Sequence, residues 1–274
     1  MRNLKSLSVV AMCAAAVAGC ATSRPVTQTL ENNALIKYLN GKGYTNWPVP
    51  ATLQSAGALI EFDDGVPVIK GDLLSCAADS ETRNDLFKAM FGPDQETQDR
   101  YRNAQFPDFD FERNSNLDFG LDFALKILGG SANYENVRKA TITTTNSGPE
   151  TLLTYNVEGW FRKPGNLSKL NAGCQAAIAS GRAILVTESA YIADGVITFY
   201  GSDEFDGQLD TPLKVTKAVT LDPSLDTEVK DDGTVTFNRR TYIAFKSAKK
   251  FPGVGTLGSD GEWEDATDLL KSAY

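Results

Sequence analysis

The chain has 274 residues with a net charge of −8, from 27 basic and 35 acidic residues, and it contains no histidine. The missing histidine excludes Ser-His and Cys-His nucleophile pairs and the commonest metal ligand. So acidic a chain also lacks the overall positive charge typical of nucleic-acid-binding proteins. We therefore expect no nucleic-acid partner, no cofactor and no enzymatic activity, although carboxylates, Lys or Tyr could still serve an enzyme.

The N-terminus has the pattern of an export signal. Arg2 and Lys5 precede an apolar stretch over about residues 7–17, which is shorter than the ~20 residues of a membrane-spanning helix but fits the core of a signal peptide. The stretch closes with Val17-Ala18-Gly19-Cys20. This order resembles the lipobox of bacterial lipoproteins, and the alternative is a secretory signal with a chance cysteine.

The lipobox resemblance implies that Cys20 becomes the first residue of the mature chain and carries acyl chains. Each buried acyl carbon contributes about 0.8 kcal/mol to membrane binding, so multiple acylation makes a durable anchor. Ala21 stands where lipoproteins of the inner membrane often have Asp, which favours the outer membrane, facing the periplasm. Without residues 1–19 the net charge is −10, from 25 basic and 35 acidic residues.

The sequence divides into four parts by composition. We predict a signal peptide over residues 1–19, a lipidated tether over 20–31, an α+β globular domain over 32–250, and a linker with a C-terminal segment over 251–274. No second long apolar run follows the signal, so we expect no transmembrane helix.

Two cysteines, Cys76 and Cys174, remain after Cys13 leaves with the signal and Cys20 takes lipid. An oxidising compartment favours a disulfide between them. The alternative is two buried free thiols.

The first half of the domain mixes helices and strands. Asn32-Asn33 and Gly41 predict the limits of a short helix, and Asp63-Asp64-Gly65 predicts a hairpin with Pro67 at a sheet edge. The other predicted elements are an extended segment over 44–50, one helix and a loop over 79–105, and a strand entering a short helix over 117–128.

The second half is rich in β-branched residues. Asp194-Gly195 between two such runs predicts a tight hairpin, and Asp231-Asp232-Gly233 predicts another turn. We predict strands over 140–145, 152–157, 183–192, 196–200, 234–237 and 241–246, and helices over 167–180 and 263–274. The fold class expected is α+β, a twisted, mainly antiparallel sheet with a few short helices.

Two carboxylate clusters are the candidate catalytic or metal-binding groups. Paired acids can hydrolyse glycosides or bind calcium, but neither cluster has the spacing of a calcium loop, and the first alternates with Phe as a solvated strand face does. We expect no metal site. The clusters are Asp108, Asp110 and Glu112, and Asp203, Glu204, Asp206 and Asp210.

Two further motifs have a simple structural interpretation. Residues 253–258 match the glycine fingerprint of dinucleotide-binding proteins, but only 16 residues follow, too few for the rest of that motif, so we interpret them as a linker. Trp160-Phe161 beside Arg162-Lys163 is compatible with a membrane interface, yet core packing is the preferred interpretation.

The order of elements is similar to that of the bacterial gasdermins, small pore-forming proteins with a lipidated cysteine near the N-terminus. In that family a short C-terminal peptide restrains the pore-forming body. The resemblance rests on pattern alone, in residues 33–39 with Gly43-Tyr44 and Pro48, the Gly- and Leu-containing stretch 120–130, the strand 184–188, and the C-terminal stretch 263–274.

Three functions follow from these patterns. The leading prediction is a non-enzymatic envelope lipoprotein that binds a partner or supports the envelope, with the membrane, through its lipid, and an envelope protein as partners. The second is a gasdermin-like membrane perforator restrained by its C-terminal segment. The third is a carboxylate-dependent hydrolase, which needs Asp or Glu pairs that meet in one cleft; loss of such an activity on mutating Asp108 or Asp110 would contradict the leading prediction.

Overall fold

The protein's structure, a computed structural model, describes residues 34–51, 53–106, 116–119, 137–201, 211–212, 227–229, 234–253 and 262–274. Short helices pack against one sheet, which confirms the predicted α+β class. The helices are α1 (Ala34–Gly41), α2 (Ser80–Phe91), α3 (Gln95–Arg102), α4 (Thr154–Phe161), α5 (Ala172–Ala179) and α6 (Thr267–Ala273), with 3-10 turns at Leu73–Cys76 and Leu167–Lys169.

The sheet is built around one long strand, β6. All pairings between described strands are antiparallel, and the main path runs β1-β10-β6-β2-β3. The strands are β1 (Thr45–Ala51), β2 (Ala58–Asp63), β3 (Val66–Asp72), β4 (Asn116–Phe119), β5 (Val137–Thr151), β6 (Ile184–Gly201), β7 (Thr211–Pro212), β8 (Thr227–Val229), β9 (Thr234–Phe237), β10 (Thr241–Lys250) and β11 (Glu264–Asp265).

The first hairpin forms as its turn sequence predicts. Asp64 and Gly65 both have positive φ, +48° and +81°, the requirement of a two-residue type I′ turn. The hairpin joins β2 to β3 with Phe62 opposite Pro67. β3 pairs with β2 alone among the described strands, so Pro67 lies on an edge strand, as expected of a residue without an amide hydrogen.

Residues 80–102 form two helices, so the prediction of one helix and a loop was wrong. Gly92-Pro93 ends α2, and α3 then begins afresh because the Asp94 carboxylate accepts from the Thr97 amide at 2.9 Å. Asp79 caps α2 in the same way through the Thr82 amide, at 2.7 Å. α3 buries no residue in its body, so apolar spacing gave no sign of it.

The hairpin predicted at Asp194-Gly195 was also wrong, because β6 runs on through these residues for 18 residues. Its register with β5 stays constant from Lys139↔Tyr200 to Thr151↔Glu188. What changes at Asp194 is the other edge of β6, where β10 pairs up to Ile192 and β9 pairs from Gly195. The left-handed Asp194, with φ +52°, therefore marks a change of neighbour and not a chain reversal.

The strand predicted over 152–157 is helix α4 instead. Val157, Trp160 and Phe161 are buried, and their i, i+3, i+4 spacing places them on one helix face. Truncating a buried Trp or Phe to Ala typically costs about 3–5 kcal/mol, so tertiary burial outweighs the local preference for strand. β10 also extends beyond the predicted 241–246 to Lys250, and β11 follows it.

Two apolar clusters lie against the sheet, and β6 contributes to both. Leu185 belongs to a cluster with α2, α4 and α5, whereas Ile184 and Val186 belong to a cluster with Trp47 and Leu270. Successive strand residues point to opposite faces, so the clusters cover opposite faces of the sheet. None of the helices in the described ranges is both long and apolar enough to cross a membrane.

Candidate functional site

Several predicted site residues lie outside the described residues. They are Cys20 with the signal peptide and tether, both carboxylate clusters at 108–112 and 203–210, and residues 254–258 of the glycine run. Lipidation and a hydrolase centre at Asp108 or Asp110 therefore stay predictions. Within the described ranges, no three Cys, Asp or Glu side chains come together as metal ligands would.

Cys76 and Cys174 are joined by a disulfide that closes a sequence separation of 98 residues. Cys76 ends a 3-10 turn, and Cys174 lies in the first turn of α5, whose N-cap is Asn171. The Asn171 amide donates to the Cys76 carbonyl at 2.7 Å, and Leu170 forms a bridge with Ala77. This bridge divides the helix predicted over 167–180 into a 3-10 turn and α5.

The three tryptophans are core residues. Trp160 is 6% exposed and packs edge-on against Phe161 at 5.0 Å, which confirms core packing over a membrane interface for this pair. Trp263 is 4.4 Å from Phe251 between ring centres, and Trp47 is 4.6 Å from Phe245.

The first candidate site is the docking surface of the C-terminal segment, defined here as residues 262–274. Its β11 continues the edge of β10, with Asp265 opposite Lys249 and Glu264 opposite Lys250. Trp263 and Leu270 are buried, one in each core cluster. The segment therefore packs on both faces of the sheet at this edge, and it consists of β11 followed by α6, where a single helix was predicted over 263–274.

Charge complements the apolar contacts of the C-terminal segment. Two acidic residues of β11 face two lysines of β10, an arrangement that stabilises cross-strand pairs. Hydrogen bonds from the side chain and the backbone amide of Thr267, with Lys249 and Lys271 nearby, hold the pKa of Asp265 below its ordinary value. Asp265 is thus held ionised mainly by Thr267 of its own segment, and Lys249 of β10 adds the attraction across the strands.

The second candidate site is a buried ionic cluster around Glu150, at the end of β5. Glu150 is 1% exposed. Its Oε2 accepts from Arg240 Nη1 at 2.7 Å, its Oε1 accepts from the Tyr242 hydroxyl at 2.9 Å, and Arg102 Nε lies 3.6 Å from Oε2. The Arg240 guanidinium also stacks 3.9 Å above the centre of the Tyr191 ring.

Burial dominates the electrostatics of this cluster. It raises the pKa of Glu150, against the opposing effects of Arg240, Tyr242 and Arg102. Burial and the neighbouring Glu150 also raise the pKa of Tyr242 well above its ordinary value. Because both carboxylate oxygens accept from protein donors in a buried position, the arrangement ties β5 to β10 and to the end of α3.

Sequence reasoning missed this cluster entirely. Glu150 and Arg240 are 90 positions apart, and no spacing rule links residues so distant. Glu150 itself was a weak signal for such a cluster. It is a carboxylate in a β-rich run, where a strand can bury it, and buried acids are almost always paired.

Comparison with known proteins leaves the family open. No family model matches the chain, and no curated protein matches it. A solved structure, a bacterial gasdermin from Bradyrhizobium tropiciagri, is similar with a TM-score of 0.32 and 13% identity, over 85% of this chain and 90% of that one.

Proposed function

We propose that the protein is a lipid-anchored envelope lipoprotein with a non-enzymatic role, binding a partner or supporting the envelope at a membrane surface. The observation that carries this proposal is Val17-Ala18-Gly19-Cys20 at the end of a short apolar stretch behind two basic residues. The Cys76–Cys174 bond supports export, because disulfides persist in oxidising compartments and are rare in the cytosol.

The short tether predicted after Cys20 supports a role close to the membrane. The first described helix begins at Ala34, 14 residues after Cys20. Fully extended, a chain of that length spans no more than about 50 Å. A domain so placed meets envelope components at one leaflet, with the outer membrane facing the periplasm as the proposed location.

The test is the replacement of the acceptor thiol. We expect mass spectrometry of the mature wild-type protein to find residues 1–19 absent and acyl chains on Cys20. The Cys20→Ser variant should leave the membrane fraction on cell fractionation. Cys13→Ser is the matched control, since it removes a thiol of the predicted leader and should change neither result. An unmodified Cys20 with the leader still attached would contradict the proposal.

A second candidate function, a membrane perforator restrained by its C-terminal segment, is favoured by one observation. Side-chain burial and a few edge hydrogen bonds hold the segment on the sheet, and two acidic residues of β11 lie opposite two lysines of β10. Removing it would uncover the Ala248–Lys250 edge of β10 and aromatic side chains such as Phe251, which is 1% exposed. Unpaired edges and uncovered apolar surface favour association with other chains or with lipid.

The perforator is tested by cutting the folded protein. A protease recognition site inserted between Gly253 and Glu262 lets the segment be released after folding, with deletion of residues 252–274 as a second route. Release should cause dye leakage from phosphatidylethanolamine–phosphatidylglycerol vesicles, whereas the uncut protein should cause none. Inert cut protein, with loss of residues 262–274 verified by mass spectrometry, would rule this function out.

A further inference from the structure

Residues Arg102–Phe106 cross the surface of the sheet, and their contacts support an inference that neither proposed function requires. We call this segment the strap. It begins with the last residue of α3 and passes over the sheet at Gly148 of β5, where a Cβ on Gly148 would lie 1.7 Å from the Ala104 carbonyl oxygen. Backbone meets backbone at this point, so only glycine leaves room for the strap.

The strap is held by side chains. Among the described residues, no partner accepts a hydrogen bond from the backbone amides of Ala104, Gln105 or Phe106. The Ala104 carbonyl instead accepts from the Tyr191 hydroxyl at 3.1 Å. A segment fixed in this way can leave the sheet without breaking any ladder hydrogen bond of the strands beneath it.

Arg240 joins the strap to the buried carboxylate. One guanidinium donates to Glu150 Oε2 at 2.7 Å, to the Arg102 carbonyl at 2.9 Å and to Asn103 Oδ1 at 2.8 Å. The planar fork of arginine can make these three bonds together, whereas a lysine ammonium at the end of a flexible stem cannot reproduce them.

The last residue of the strap, Phe106, contacts helix α1. Phe106 is 6% exposed and packs edge-on between Tyr38 of α1, at 5.4 Å, and Tyr44, at 6.1 Å. The strap therefore connects α1 to the centre of the sheet, where β5, β6 and β10 meet.

We propose that the strap is a latch, a segment that can detach from the sheet while the sheet stays folded. Gly148 leaves the space in which the strap lies, and Arg240 holds it there. Because Phe106 contacts α1, detachment of the strap also frees α1 to change its position relative to the sheet. Released, the strap exposes the sheet surface at Gly148, Tyr191 and Tyr242 and frees α1 from its aromatic contact. The sheet itself stays folded, because its own hydrogen bonds are untouched.

Limited trypsin digestion of the full chain tests the latch, because Arg102 is a cleavage site within the strap. Gly148→Ala and Arg240→Lys should each raise the rate of cleavage after Arg102 at least 10-fold, as measured by mass spectrometry of the fragments. Gly159→Ala is the matched control, since a Cβ there meets nothing within 4 Å; its rate should stay within 2-fold of wild type.

Hydrogen exchange of the same variants separates a latch from general loosening. Amides of β6 and β10 should keep their wild-type protection. Unchanged cleavage after Arg102 in both variants would overturn the proposal. So would faster cleavage accompanied by equal loss of protection in β6 and β10, since the strap would then unfold only with the sheet. If Gly148→Ala does not fold, Arg240→Lys alone decides between these outcomes.

Discussion

The hydroxyl of Thr267 accepts a hydrogen bond from the amide of Ala248 at 3.0 Å, and the Ala266 amide donates to the Ala248 carbonyl at 3.0 Å. β1 pairs with β10 from Tyr242 to Phe245, so the C-terminal segment completes the same edge where β1 stops. A side chain here takes the place of a strand as hydrogen-bond partner.

Thr267→Ala should destabilise the protein by about 1–3 kcal/mol, the cost of leaving a buried amide unpaired, because Ala248 is fully buried. Urea denaturation at neutral pH measures the change in the free energy of unfolding. Thr267→Ser is the matched control, since it keeps the acceptor oxygen, and it should lose less than half as much. Equal losses in the two variants would mean that the methyl group, and not the hydrogen bond, matters.

The stability of the C-terminal segment should depend on pH through Asp265, whose pKa is lowered by Thr267 and the nearby lysines. A carboxylate with a lowered folded pKa stabilises the folded state above its unfolded pKa, about 3.9, and loses that contribution as pH falls through the folded value. Asp265→Asn should therefore be less stable than wild type at pH 7, and the difference should shrink as the pH falls below the unfolded pKa and through the lowered folded one.

The comparison needs a carboxylate on the same segment without these contacts. Asp268 has a fully exposed side chain and a 3.7 Å contact with Lys271. Asp268→Asn should change the urea midpoint little at either pH, because exposed ion pairs contribute little. A pH dependence in Asp265→Asn identical to that of the wild type would remove Asp265 from the docking interaction.

Loss of the disulfide should lower the free energy of unfolding more than most single substitutions do. Closing a long loop restricts the unfolded chain, and native disulfides typically contribute about 2–4 kcal/mol. The Cys76→Ser/Cys174→Ser double variant should lose a similar amount by urea denaturation. Reductant should lower the stability of the wild type to that of the double variant and leave the variant itself unchanged. A reductant effect on the double variant would point to another cause.

The sequence predicts an element correctly where local residues determine its structure, and fails where pairing or packing with distant residues determines it. Asp64-Gly65 needs only its own backbone freedom to turn, and the hairpin was predicted correctly. Asp194-Gly195 has similar chemistry, but β5 keeps the same register with β6 on both sides of Asp194, so the long-range ladder determines the outcome. α4 differs from its local strand preference for the same reason, since Trp160 and Phe161 fill a core formed by distant elements.

The candidate sites were less predictable than the fold. The C-terminal amphipathic pattern located the docked segment, because Trp263 and Leu270 are apolar residues in a polar stretch. The Arg240–Glu150 pair had no such signal, since it depends on β5 and β10 both pairing with β6.

The buried carboxylate gives the last prediction. Glu150→Gln keeps the shape of the side chain but leaves Arg240 and Arg102 facing a neutral group. Gln has only one acceptor oxygen, so either Arg240 or the Tyr242 hydroxyl loses its acceptor. Leaving a buried donor unpaired costs about 1–3 kcal/mol, and we expect a loss in that range by urea denaturation. Glu158→Gln is the matched control: its pair with Arg162 is 3.9 Å long and its side chain is 21% exposed, so it should lose less than about 1 kcal/mol. Equal losses in the two variants would mean that Glu150 contributes no more than a surface charge, despite its burial.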